Sequence, residues 1–230
     1  MKKPLVIIIL GPPGSGKGTQ AELLAEKLNL CHLETSVIIE KNLLNAKKSD
    51  FVIIKGTKYF LSEEKKLRES GKWMSPPLIT FWINNKIKEL SKEGGGITMS
   101  GSPKTLYEGK EIIPLLKKLY GAPNIKIILI KQKPEVSIWR NSRRRICQLM
   151  RHSILYTKET AKLERCPFDG SKLVLREDSD QKVIKSKLKE FQERTLPLIG
   201  YFKKQGLNVK EVNGERSVVD VFKDILKSIS

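Results

Sequence analysis

The chain has 230 residues, of which 44 are Lys or Arg and 25 Asp or Glu, for a formal net charge of +19 at pH 7. That length suits one domain with inserts and a sizeable core. Recurrent apolar runs exclude a disordered chain, and the longest aliphatic run, Leu5 to Leu10, falls far short of the about 20 residues a bilayer span requires.

Leu5–Leu10 reads as a buried strand from its continuous β-branched character. Met1-Lys2-Lys3 before it mimics a signal peptide, but Gly-Pro-Pro-Gly follows where a cleavage site would stand. A helix is expected from about Lys17 to Leu28, with Ala21, Leu24 and Leu28 as its apolar stripe. Residues 32 to 73 carry short helical patterns with many lysines. Ser75-Pro76-Pro77 opens a helix to about Leu90, with Ser75 as N-cap and Pro76 at the first helical position.

Ile97–Met99 and Lys126–Ile130 are expected strands, and Pro134 opens a helix towards Arg145. From Cys147 to about Leu175 periodicity fades, which suggests a small inserted module. Helical order returns near Asp180, with Ile184, Leu188, Phe191 and Leu198 on one face. Asn208–Val212 is the last strand and Ser217–Ile229 the last helix. Strands alternating with helices predict an α/β fold with a parallel sheet. Three cysteines, Cys31, Cys147 and Cys166, are too few for a disulfide framework, so a reducing cytoplasm is expected, with Cys31 as a core residue.

The strongest signal is Gly11-Pro12-Pro13-Gly14-Ser15-Gly16-Lys17-Gly18-Thr19, between the first strand and the first helix. Glycines let backbone N–H groups curl around phosphate oxygens, the helix points its positive end at them, and Lys17 adds a mobile charge. The general pattern places Ser or Thr directly after the lysine. Here Gly18 stands there and Thr19 follows. Gly14, Ser15, Gly16, Lys17, Gly18 and Thr19 are the expected ATP-binding loop.

The run Gly11–Gln20 resembles the adenylate kinase family of nucleoside monophosphate kinases. Ser100-Gly101-Ser102-Pro103-Lys104-Thr105 resembles that family's Asp-Gly-Phe-Pro-Arg-Thr. Arg140 to Arg145 looks like its arginine cluster, and Arg176-Glu177-Asp178 is similar to the Arg-x-Asp that closes its lid. Thr195-Leu196-Pro197-Leu198-Ile199-Gly200-Tyr201 is close to its Thr-x-Pro-Leu-x-x-Tyr. The resemblance implies a P-loop NTPase-like parallel sheet flanked by helices, with a helical insert over the monophosphate and a small lid over ATP. The implied core is residues 1–31, 76–146 and 177–230, the monophosphate insert 32–75 and the lid 147–176.

The resemblance implies that Arg140 and Arg144 hold ATP phosphates, while Arg176 and Lys187 span donor and acceptor. Lys187 stands where the family has arginine and loses the bidentate fork. Thr35, Gly101, Lys104 and Glu108 fall in the acceptor site. Ser100 replaces the carboxylate near the metal waters, Lys104 an acceptor-gripping arginine, and Glu40 another. Glu108 replaces the glutamine that reads adenine. A carboxylate only accepts hydrogen bonds, which suits a guanine edge; equally, Thr105-Leu106-Tyr107-Glu108 is a capping box.

Cys147-x-x-Met150 and Cys166-x-x-Asp169 have two-knuckle zinc spacing, which some family lids share. Met150 is a poor ligand and His152 stands out of place, so a lid held without zinc is expected, because structural zinc is almost always four-coordinate. The implied function is adenylate kinase, ATP + AMP = 2 ADP, with Mg2+ accompanying ATP. A kinase for a different monophosphate and a catalytically weak nucleotide-binding or sensing protein are the alternatives. The positive charge alone would fit nonspecific nucleic-acid attraction, but no specific nucleic-acid motif is present and the basic residues are dispersed. No membrane partner is expected, and a monomer is, because lid motion needs free surfaces.

Overall fold

A computed structural model describes residues 4–70, 72–176 and 179–229. The first strand, β1 (Val6–Leu10), is buried along its whole length and runs through the glycine-rich loop into α1 (Lys17–Leu28). β2 (Leu30–Glu34) follows and pairs in parallel with the later strand at residues 96–100. Residues 32–34 therefore belong to the sheet, beyond the expected core boundary. Cys31 is exposed, not a core residue, because it lies on the outward side of this edge strand.

Residues 35–70 do not form helices alone. α2 (Thr35–Leu43) and α3 (Leu61–Glu69) flank a hairpin of β3 (Phe51–Ile54) and β4 (Thr57–Phe60). The hairpin is legible afterwards in Lys55-Gly56, where both residues take positive φ at the turn. α4 (Pro76–Lys92) begins at its prolines as expected, but Ser75 makes no side-chain cap; its N–H donates to the buried carboxylate of Glu64 at 2.9 Å.

β5 (Gly96–Ser100), α5 (Leu106–Tyr120), β6 (Ile125–Lys131) and α6 (Pro134–Ser142) continue the alternation. α6 stops short of Arg145, which opens the lid strand β7 (Arg145–Cys147). The lid is an antiparallel sheet in the order β8 (Ser153–Ile154), β7, β9 (Leu173–Leu175). α7 (Gln181–Glu190) does not run straight on: a π-helical turn at Phe191–Thr195 separates it from α8 (Pro197–Lys204). β10 (Val209–Asn213) and α9 (Val218–Ile229) finish the described chain.

The central sheet has the order β10-β6-β1-β5-β2 with every pairing parallel. Its two faces bury separate clusters. Ile7 and Ile9 pack with Ala21 and Leu24 of α1 and Val221 and Ile225 of α9. Val6 and Ile8 pack with Ile83 of α4, Ile112 of α5 and Phe202 of α8. Burial on both faces explains why the central strand β1 is an unbroken apolar run. It also puts the carboxyl ends of β1, β2 and β5, where α/β sheets bind ligands, at one rim.

Candidate active site

The loop after β1 is shaped by two glycines. Gly14 and Gly16 have φ of 75° and 87°, the left-handed region that Gly enters without penalty. A Cβ at Gly14 would lie 2.3 Å from Asn141 Nδ2, so α6 packs where a side chain would be. Ser137 on the same helix donates its hydroxyl to the Pro13 carbonyl. A Cβ at Gly16 or Gly18 would meet nothing within 4 Å, so the top of the loop is open space. Gly16 provides no side-chain cap for α1, and the first turn has no acidic residue. The orphan N–H groups of that turn, Thr19 included, keep their positive potential for an anion. Ser15 Oγ is buried without a hydrogen-bond partner among the described residues.

Lys17 Nζ donates to the Pro12 carbonyl at 2.8 Å across the loop. Burial, then the charges of Lys104 and Arg144, bring its pKa down to about 7. Lys104 retains accessible surface, yet the protein packed around it lowers its pKa as well. Desolvation is the main cause; Glu108 opposes it, Lys187 adds to it, and Glu190 and Glu34 oppose it. Lys104 and Arg144 thus act on the charge of Lys17, and Lys187 on that of Lys104, from the end of β5, the lid base and α7. Clustered, partly desolvated cations repel one another and are stabilised by anions.

The two arginines of α6 and the lid base are tied elsewhere. Arg140 donates to Gln132 Oε1 at 2.9 Å and to the Gly214 carbonyl at 2.8 Å. Burial lowers its pKa, against the opposing charge of Glu215. Arg144 Nε donates to Ser153 Oγ of β8 at 2.8 Å. The Arg176 main-chain N–H faces the Arg144 carbonyl at 3.5 Å, so β9 returns beside the lid base. Glu177 and Asp178 lie outside the described residues.

On the other side of the loop, Thr35 is buried, with Oγ1 3.5 Å from the Ser100 carbonyl. Gly101, at φ 86°, lets the chain pass Thr35 and the Lys104 stem closely. Glu108 is buried and both its oxygens are engaged. They accept from the Ser102 hydroxyl, the Lys104 N–H at 3.0 Å and the Thr105 hydroxyl at 3.3 Å. Thr105 in turn caps α5 by accepting from the Glu108 N–H at 3.2 Å. Of the two roles open to Glu108, this geometry is that of the cap. Glu40 sits on the exposed side of α2, 3.9 Å from Arg68 of α3.

In the lid, the turn after Cys147 brings His152 back, its N–H facing Cys147 Sγ at 3.1 Å. His152 Nδ1 lies 3.6 Å from Cys147 Sγ, 3.4 Å from Cys166 Sγ and 3.3 Å from Asp169 Oδ2. All four donor atoms lie within 4.8 Å of one another. Met150 contributes only its main-chain N–H, to Asp169, while its side chain is exposed. Hydrogen bonds, first from the Cys147 thiol, hold the Asp169 carboxyl far below the ordinary carboxylate range. Burial pushes the Cys166 thiol up.

A family model described as "Adenylate kinase" matches residues 9–207, most of the chain and all the elements just described around the loop. The chain belongs to the adenylate kinase family. It is 30% identical over 228 residues to an adenylate kinase of Methanothrix thermoacetophila, covering 97% of this chain and 98% of that protein. An adenylate kinase of Clostridium botulinum strain Loch Maree is 30% identical over 223 residues, covering 95% of each chain. One of Borreliella burgdorferi is 31% identical over 223 residues, covering 96% of each. The chain is therefore a phosphotransferase, and the P-loop fold expected from the resemblance is the fold observed.

As a member of this family the chain shows residues that sequence reasoning missed. Ser137 and Asn141 brace the phosphate loop; their i,i+4 spacing on a helix next to the arginines was the available signal. His32 Nε2 lies 2.8 Å from Ser100 Oγ, in the row where β2 and β5 pair. Burial lowers the His32 pKa, while Glu34 and Glu22 oppose the shift. Trp73 and Arg194 also belong here: the Trp73 ring has Lys104 Nζ at 5.9 Å and the Arg194 guanidinium at 5.0 Å from its centroid. Neither carries a spacing cue, because their meeting depends on the turn that interrupts α7 and α8.

Proposed function

We propose that the chain catalyses ATP + AMP = 2 ADP by direct transfer of the γ-phosphoryl group. The observation that carries this reading is the open glycine-rich loop with Lys17 at the uncapped head of α1, in a chain of the adenylate kinase family. Lys104 and Arg144, from the expected acceptor and ATP sides, both act on the charge of Lys17. In the transfer, an oxygen of the acceptor phosphate forms a bond to the γ-phosphorus, and the bond to the β,γ-bridging oxygen breaks. The acceptor is already anionic, so no protein base is required. Positioning and charge neutralisation supply the catalysis.

Gly14, Ser15, Gly16, Lys17, Gly18 and Thr19 bind the ATP phosphates, joined by Arg140 and Arg144 when they exchange their carbonyl and hydroxyl partners for phosphate. Arg176 and Lys187 bridge donor and acceptor. Thr35, Gly101 and Lys104 line the acceptor pocket. Glu108 shapes that pocket by holding residues 102–105, so the guanine reading loses its main support and AMP is the acceptor. Glu40, neutralised by Arg68, leaves the acceptor phosphate to other cations. Residues 35–75 and 147–176 close over the two nucleotides and exclude water.

Magnesium enters with ATP and neutralises phosphate charge. The oxygen donors at the sheet rim fit this hard cation: the Thr19 and Ser100 hydroxyls, and the carboxylate of Glu34, which pairs in register with Ser100. The lid donors fit zinc, which takes thiolate, imidazole and carboxylate in a four-coordinate site. Cys147, His152, Cys166 and Asp169 would hold it as a structural ion. No helix among the described residues is long and apolar enough to cross a membrane. A cytoplasmic monomer acting on small-molecule nucleotides, without specific nucleic-acid partners, completes the reading. The test is ADP formation from MgATP with AMP, against GMP, CMP and UMP.

A further inference from the structure

We propose that Arg194, held against Trp73, is a second cation for the acceptor phosphate. This rests on the monophosphate kinase reading and assigns the cation that Glu40 does not supply. The Arg194 guanidinium lies 5.0 Å from the Trp73 ring centroid, and Lys104 Nζ lies 5.9 Å from the same ring. Both distances are within the reach of a cation–π contact. One half-buried aromatic ring thus carries a cation from each of two distant segments, which suits the surface around it to an anion.

Three further observations orient Arg194 towards this place. Lys187 and Glu190, on α7 just before the turn that carries Arg194, act on the charge of Lys104. The π-helical turn, closed by the Leu196 N–H to the Phe191 carbonyl at 3.0 Å, sets Arg194 at an angle a regular helix would not give. Next in sequence, Thr195 Oγ1 donates to the Lys104 carbonyl at 2.9 Å, fixing the turn to the acceptor loop. The Arg194 side chain is exposed, so its removal leaves the core intact.

The test measures KM for AMP and for ATP, calorimetric affinity for AMP and inhibition by adenosine, on the full chain carrying R194Q, R194K, W73L or W73F. R194Q raises the KM and Kd for AMP about tenfold, leaves the KM for ATP unchanged, and leaves adenosine, which lacks the phosphate, unaffected. R194K recovers part of the loss. W73L shifts AMP in the same direction, and W73F, which retains a ring, shifts it less. An AMP affinity within about twofold of wild type in R194Q, or an equal loss of adenosine inhibition, overturns the proposal. If wild type turns over no monophosphate, the kinase reading fails; calorimetry still decides, because AMP binding lost in R194Q supports the second cation and absence of AMP binding by wild type overturns it.

Discussion

Glu108 accepts a hydrogen bond from the Lys104 main-chain N–H at 3.0 Å, and its charge also favours the protonated Lys104 ammonium. One carboxylate therefore holds both the shape and the charge of the acceptor loop. Glu108→Ala leaves the Ser102 hydroxyl and the Lys104 N–H without this acceptor, at a cost of about 1–3 kcal/mol. For a chain of this size the melting temperature falls by about 2–4 °C per kcal/mol. KM for the monophosphate rises and KM for ATP stays constant. Glu108→Gln leaves the preference among acceptor bases unchanged; a switch in acceptor base would return Glu108 to base reading.

The Lys17 ammonium is depressed to about 7 by burial and by its cationic neighbours. Bound phosphates favour the charged form and move the pKa upwards. The protonated lysine is the binding form, so ATP affinity falls as pH rises through the free value. At about pH 8, ATP binding takes up a fraction of a proton, and affinity falls by at most about tenfold per pH unit. Calorimetry in buffers of different ionisation enthalpy reads the uptake directly. Lys17→Met abolishes this part of it, and an unchanged proton count would contradict the assignment.

Zinc in the lid predicts one equivalent of metal per chain after purification, read by elemental analysis. Cys147→Ser or Asp169→Ala removes it, and a strong chelator lowers lid stability, because metal-binding free energy is folding free energy at such a site. Metal-free protein with an unchanged melting curve would show that Ile154 and Leu173, packed around the two cysteines, hold the ribbon by themselves.

Gly14→Ala meets Asn141 and a left-handed backbone at once. The strain is of order 1–3 kcal/mol, and it falls on the loop proposed to bind phosphate. ATP affinity drops more than overall stability does. Pairing it with Asn141→Ala, which removes the clash and leaves only the backbone cost, recovers part of the loss.

The sheet and the glycine-rich loop were legible because they rest on local rules. Strand β1 is continuously β-branched, and Gly14 to Thr19 follow it directly into a helix. What was hidden depends on contacts distant in sequence. The hairpin β3–β4 alternates weakly, with exposed Phe51, Ile53 and Phe60 on its outer face. Cys31 looked apolar but lies on an edge strand. His152 was visible as a stand-in for Met150, but its place was not: it breaks the knuckle spacing and is brought back by a turn onto Cys147. Glu108 illustrates a residue whose two readings share one sequence signature; only its engaged oxygens separate them.

We propose that Lys17 organises a phosphate-transfer centre open to AMP. The direct measurement is ADP formation from MgATP with AMP, GMP, CMP and UMP in turn, for wild type beside Lys17→Ala. Turnover is expected with AMP in clear preference, with loss of at least about 10²-fold in kcat without the lysine. Preference for another monophosphate, or ATP binding with no turnover of any of the four, would contradict it.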